Sequence, residues 1–98
     1  MSNMKIKTEH SEGDSKGRFV VYDENKVVGE LVFTLDGKQR MSLEHTEVKK
    51  EYGGQGLGHQ LVMESVKYAR AHDLKVIPRC DYAERVFAKD QEIQDVLN

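Results

Sequence analysis

Apolar residues change their spacing near the middle of this chain, and the change separates two kinds of structure. Val20-Val21-Tyr22 and the stretch Val27 to Leu35 are rich in β-branched and aromatic side chains, with turn-forming Asp23-Glu24-Asn25 between them, so both read as strands of a hairpin. Asp36-Gly37-Lys38 makes a second turn. Beyond it, alternation from Met41 to Val48 predicts a further strand, with Met41, Leu43, His45 and Glu47 on one face and Ser42, Glu44, Thr46 and Val48 on the other. Upstream, Lys5 to Glu9 reads as an edge strand whose charges discourage pairing with other molecules, followed by a polar loop.

From Leu57 the period becomes helical. Leu57, Leu61, Val62, Val66 and Ala69 share one face while Gln60, Glu64, Lys67 and Arg70 fall elsewhere, which predicts an amphipathic helix of about four turns. Leu74 to Pro78 is short, apolar and β-branched, and the chain's one proline ends it, so a strand is expected there. A second helix is expected from Asp81, as its cap, to about Lys89, with Ala83, Val86 and Phe87 as its apolar face. The tail from Gln91 to Leu97 adds one more helical turn. Antiparallel strands followed by a strand-helix-strand crossover give an α+β fold, a mixed sheet with helices packed on it.

At 98 residues the chain suits one domain spanning residues 1–98. Its net charge is -2 and its basic residues are interspersed with acidic ones, which disfavours neutralising a run of nucleic-acid phosphates. The sequence holds no apolar run long enough to span a membrane and does not open with a secretory signal pattern, so a cytoplasmic location is expected. The single cysteine, Cys80, fits a reducing compartment.

Gly53, Gly54 and Gly56 lie between the last hairpin strand and the helix opening at Leu57, with Gly58 just inside that helix. Glycine lets main chain approach a ligand closely, and a helix N-terminus leaves N–H groups bare with a partial positive charge of about half an elementary unit. Together these make an anion cradle. A P-loop needs Lys then Ser or Thr after its last glycine, but His59 and Gln60 follow Gly58; a dinucleotide fingerprint starting at Gly54 needs Gly or Ala at His59. The plain alternative is a glycine-rich turn that only joins strand to helix.

The stretch from Val48 through Lys49-Lys50-Glu51-Tyr52-Gly53-Gly54-Gln55-Gly56-Leu57-Gly58-His59-Gln60-Leu61 resembles the acetyl-CoA loop and helix of GCN5-related N-acetyltransferases. Downstream, Cys80, Ala83, Val86, Phe87 and Lys89 fall in register with that family's Asn-x-x-Ala-x-x-apolar-Tyr-x-Lys stretch. With Glu44-His45-Thr46-Glu47-Val48 and Pro78-Arg79-Cys80-Asp81-Tyr82-Ala83, the three motifs resemble a small acetyl-CoA-binding subfamily of about one hundred residues. The resemblance implies a sheet splayed where pantetheine inserts and main chain of Thr46, Glu47 and Val48 facing its amides. It also implies that the loop Gly53-Gly54-Gln55-Gly56-Leu57-Gly58 holds the cofactor's phosphates, with the pyrophosphate on amides of Gln55, Gly56, Gly58 and His59 and with Cys80 and Lys89 beside the coenzyme A. Gly53 stands where the family often has Arg or Gln, so counter-charge is expected from Lys49, Lys50, Arg79 or Lys89. Phe87 replaces the tyrosine that commonly protonates the departing thiolate, and Tyr82 is the substitute in the sequence.

Three side chains are candidate catalytic groups. Cys80 follows a parallel strand's C-terminal end, where ligands bind in open α/β sheets; it either meets the thioester, its thiolate favoured by Arg79 and the next helix's N-terminus, or is an inert small hydrophobe. His45, beside the expected cleft, is either a base for an amine or thiol acceptor or a hydrogen-bonded core histidine on the Met41/Leu43 face. Glu44 and Glu47 are alternative bases, and His59 is expected in phosphate binding or helix capping. Tyr82 is the candidate acid, and no metal-ligand cluster is expected. The expected function is transfer of acetyl from acetyl-CoA to a small-molecule or protein amine; the alternative is a non-catalytic module that binds coenzyme A.

Overall fold

In the computed structural model, which describes residues 4–11 and 13–98, one five-stranded sheet runs in the order β1 (Met4–Glu9), β2 (Lys16–Asp23), β3 (Lys26–Asp36), β4 (Arg40–Val48), β5 (Lys75–Pro78). The first four strands are antiparallel neighbours, and β5 pairs with β4 in parallel. Between β4 and β5 come a 3-10 turn at Lys50–Tyr52 and helix α1 (Leu57–His72). Helix α2 (Asp81–Lys89) and a 3-10 segment at Gln91–Val96 complete the chain. The fold is therefore α+β, with a mostly antiparallel sheet and helices packed on it.

The helical period fixes which side of α1 is buried. Leu57, Leu61, Val62, Val66 and Ala69 pack on Phe19, Val21, Leu31, Phe33, Met41 and Leu43 of the sheet and on Ala83 and Phe87 of α2. Each large side chain so removed from water contributes roughly 1.5–3 kcal/mol. Ser65 is the buried polar member of this face, and its hydroxyl donates to the Val62 carbonyl at 2.6 Å. Helix α1 ends on Asp73, whose left-handed backbone (φ 58°) turns its N–H back to the Ala69 carbonyl. Cys80, not Asp81, occupies the position before α2, without a side-chain cap; Asp81 is the first helical residue, where its charge still suits the helix dipole.

The other face of β1 to β3 carries a polar layer. Arg18 bridges Glu9 and Glu30 at 2.9 and 2.8 Å, Tyr22 donates to Glu9, and beneath this network Val20 is fully buried outside the main core.

Two bulges alter the register. One lies at Val21/Tyr22 against Val27 and Gly29. The second changes the reading of β4: Phe33 pairs with Leu43 but Val32 pairs with His45, so Glu44 is an extra residue on its strand. An extra residue exchanges the two faces of everything beyond it. The expected face of Met41, Leu43, His45 and Glu47 is therefore corrected: Thr46 and Val48 continue the inner face, while His45 and Glu47 point outward, 59% and 69% exposed as side chains. His45 is not a core histidine.

Candidate functional site

The cleft begins where β4 and β5 part. The β5 ladder follows β4 only from Arg40 to Leu43, after which the N–H groups of Arg79 and Cys80 both donate to the Leu43 carbonyl, at 3.0 and 3.1 Å. One carbonyl taking two successive donors turns the chain away from β4. On the β3 side, Lys49 donates to the Val28 carbonyl. Strand alternation then directs the main-chain groups of Thr46 and Val48 toward the gap that β5 leaves. Across that gap, the Cys80 thiol lies 3.3 Å from the Thr46 hydroxyl, and either atom can be the donor.

The glycine loop closes the other side. Gly54 and Gly56 have left-handed backbone, φ 77° and 76°, which L side chains rarely adopt, and Gly56 is the residue from which α1 starts. No side chain caps α1, so His59 does not do so; the first helical bond runs from the Gln60 N–H to the Gly56 carbonyl. The N–H groups of Leu57, Gly58 and His59 are therefore left without helical acceptors. Gly58 has a separate reason to be glycine: a Cβ there would stand 3.0–3.1 Å from Cζ, Cε2 and the hydroxyl oxygen of Tyr82. The Tyr82 ring thus lies on the first turn of α1, at the glycine-loop end of the cleft.

These groups enclose an open cavity of about 420 Å³ lined by Thr46, Val48, Tyr52, Gly53, Gly54, Gly56, Leu57, Gly58 and Tyr82. Its volume lies within the range of roughly 300–1,000 Å³ usual for small-molecule sites. Tyr52 was not among the expected site residues. Its hydroxyl donates to Asp23 at 2.6 Å, a bond that holds the phenol's pKa above its ordinary value and ties the turn before the glycines to the β2–β3 hairpin.

A second cavity of about 410 Å³ lies on the far side of Tyr82, between His59, Arg85, Val86, Lys89 and Asp90. A third, of about 300 Å³, is lined by Arg18, Val27, Val28, Gly29, Glu30, Glu47 and Lys49.

The structure brings together Thr46, Val48, Gly53, Gly54, Gly56, Gly58 and Tyr82, and sets Cys80 against Thr46. It separates His45 and Glu47, which face outward with His45 Nε2 3.4 Å from Glu47 Oε1. Gln55 is exposed on the loop and does not line the cavity; His59 and Lys89 belong to the second cavity. Two expected counter-charges are displaced. Arg79 turns to Ser42 and Glu44, at 3.3 and 3.9 Å, and so faces neither the Cys80 thiol nor the glycines. Lys49 lines the third cavity. Glu44, at the bulge, accepts from Thr34. Phe87 is 1% exposed in the core, so the position in register with the family's tyrosine does not reach the cleft. Among the described residues no group of His, Cys, Asp or Glu is arranged to hold a metal ion, and no helix is long and apolar enough to cross a membrane.

Comparison with known proteins gives a consistent picture. A profile of GCN5-related N-acetyltransferases matches residues 18–96. No curated protein matches significantly. The solution structure of a GCN5-like candidate N-acetyltransferase from Staphylococcus aureus is 34% identical, with a TM-score of 0.72 over 100% of this chain and 91% of that one. A GNAT-family acetyltransferase from Elizabethkingia anophelis with acetyl-CoA bound is 16% identical, with a TM-score of 0.65 over 80% of this chain and 65% of its own. Ribosomal-protein-alanine N-acetyltransferase from Brucella melitensis biovar Abortus 2308 is 11% identical, with a TM-score of 0.70 over 88% of this chain and 89% of its own. The last two share the fold, and this chain spans less than two thirds of the acetyl-CoA-bound structure's length.

Proposed function

The chain belongs to the GCN5-related N-acetyltransferase family, and we propose that it binds acetyl-CoA in the cleft between β4 and α2 and transfers the acetyl group to an amine. The observation that carries this reading is the coincidence of an uncapped helix N-terminus, two left-handed glycines and a half-unpaired strand around one cavity. A diphosphate suits the bare N–H groups of residues 57–59 and the glycine main chain. Amide groups of a pantetheine arm suit the gap-facing main chain of Thr46 and Val48. The residues present therefore fit the ligand, which when bound supplies an activated acyl group at its thioester.

Within that frame, Thr46 and Cys80 stand at the opening between the strands, and Tyr82 walls the phosphate end. The outward face of β4 is the acceptor side in this reading. Glu47 lines a cavity there together with Lys49 and with Glu30, which Arg18 already engages; the Glu47 carboxylate suits an ammonium group, and His45 beside it is exposed and able to take a proton from that group. Phe87 supplies no acid, so the thiolate's proton comes from elsewhere; the Cys80 thiol lies 3.3 Å from the Thr46 hydroxyl, whereas the Tyr82 ring lies against Gly58.

Calorimetry with acetyl-CoA, joined to an assay of coenzyme A release against amine and peptide panels, tests this function. Binding with acceptor-dependent release is expected. Binding without release under any acceptor would favour the non-catalytic module, and failure to bind would reject both. Intact mass after incubation with acetyl-CoA separates direct transfer from a route through Cys80: an acetyl adduct absent from Cys80→Ala marks the second.

A further inference from the structure

We propose that the cavity between His59, Tyr82, Arg85, Lys89 and Asp90 receives the 3′-phosphate of coenzyme A, and that Arg85 and Lys89 make the protein select coenzyme A over its 3′-dephospho form. The inference rests on the reading that the glycine loop holds the diphosphate.

Five observations lead to it. Tyr82 lines both cavities, so they share a wall and lie side by side along one surface. No charged side chain lines the cavity at the glycine loop, whereas two cations and an imidazole line its neighbour. Arg85 and Lys89 are four residues apart on α2, hence on one face, and both are exposed. No salt bridge engages either one among the described residues. The acidic member, Asp90, already accepts the Glu92 N–H at 3.0 Å as the cap of the following turn.

The chemistry divides accordingly. A diphosphate diester spreads its charge over oxygens that main-chain N–H groups reach one by one, which suits the glycines. A phosphate monoester carries close to two charges on three oxygens at neutral pH, and a guanidinium fork with an ammonium beside it matches that geometry. The nucleotide would then straddle Tyr82, with its 5′ side on the glycine loop and its 3′ side on α2.

Dissociation constants for coenzyme A and 3′-dephospho-coenzyme A, measured by calorimetry on the whole chain near physiological salt, test the proposal. The unmodified protein is expected to prefer coenzyme A by about 10- to 100-fold, the range for losing charge-assisted hydrogen bonds. Arg85→Gln with Lys89→Gln should weaken coenzyme A by about tenfold or more while leaving the dephospho form within about twofold. Because the dephospho form reports on the same folded variant, loss of structure would weaken both ligands and be recognised. Equal affinity of the unmodified protein for the two ligands, or an equal loss for both in the variant, overturns the assignment. Binding of neither ligand to the unmodified protein would instead overturn the acetyl-CoA reading on which it rests.

Discussion

Substituting Gly58 by alanine sets two calculable effects against each other. Gly58 is the second residue of α1 and its φ is not positive, so alanine should favour the helix by about 0.5–1 kcal/mol. The new Cβ, however, would meet three atoms of the Tyr82 ring at 3.0–3.1 Å, several tenths of an ångström inside ordinary contact. Overpacking of this kind typically costs 1–3 kcal/mol. In the unmodified background Gly58→Ala should therefore change stability by between nothing and about 2.5 kcal/mol in the destabilising direction. In a Tyr82→Ala background the obstacle is gone, and the same substitution should stabilise by about 0.5–1 kcal/mol. Urea unfolding of the four proteins gives a coupling energy, expected at about 1–3 kcal/mol. A coupling below about 0.3 kcal/mol, with Gly58→Ala already stabilising when Tyr82 is present, would refute the ring's place on α1. Affinity for acetyl-CoA should fall in Gly58→Ala, because the methyl group and the displaced ring both occupy cavity wall.

Three other perturbations address different parts of the molecule. Tyr52→Phe removes the hydroxyl bonded to Asp23 and frees the turn before the glycines; a loss of about 1 kcal/mol in unfolding free energy and a several-fold weaker affinity for acetyl-CoA are expected, and an unchanged affinity would show that the tie does not position the loop. Asp73→Gly relieves a left-handed residue at the end of α1 and should stabilise by about 0.5 kcal/mol, or roughly 2–4 °C in Tm; a lower Tm would contradict it. Asp95, held below the usual carboxylate range by Arg70, and Asp36, held low by the Lys38 N–H and Arg40, bind fewer protons folded than unfolded in acid. Their contribution is present above the unfolded pKa, near about 3.9, and is lost as pH falls through the folded value. Tm should thus drop below about pH 4, and the gap between the unmodified protein and Asp95→Asn, present at neutral pH, should close in acid; a gap constant with pH would argue against the pairing.

Periodicity made most of the fold legible, because strands and helices bury one side and their spacing shows which. Leu57, Leu61, Val62, Val66 and Ala69 were placed on the buried face of α1 by spacing alone, and they are there. What was not legible arises from contacts made across the chain. The bulge at Glu44 has no glycine or proline to announce it, and it exists because Phe33 and Val32 take partners one residue out of step. A strict two-residue alternation necessarily assigned His45, Thr46, Glu47 and Val48 to the wrong faces. Arg85 carries no motif and acquires its setting only when α2 brings it near His59. Tyr52 is one tyrosine in a polar stretch until Asp23 meets it from the β2–β3 hairpin.

The cleft depends less on the glycines than their prominence in the sequence suggests. A glycine loop before a helix offers N–H groups, but a long ligand also needs main chain that has no partner. That requirement is met by a mismatch: β4 has nine residues and β5 has four. Beyond Leu43 the chain leaves β4 through the paired donation of Arg79 and Cys80, and on the same stretch of β4 the extra residue Glu44 turns Thr46 and Val48 inward. Without the departure, β5 would cover the edge; without the bulge, His45 and Glu47 would project into the space and Thr46 would not meet Cys80. Pro78 fits the same arrangement: its neighbour Arg79 donates toward β4, so the N–H that proline lacks belongs to the opposite edge, where the tail pairs with β5 at Val76 through a bridge to Leu97 and the Asn98 N–H. The glycine turn with its bare N–H groups and the open strand edge are thus produced by separate local departures from regularity, and the cleft exists because the two adjoin.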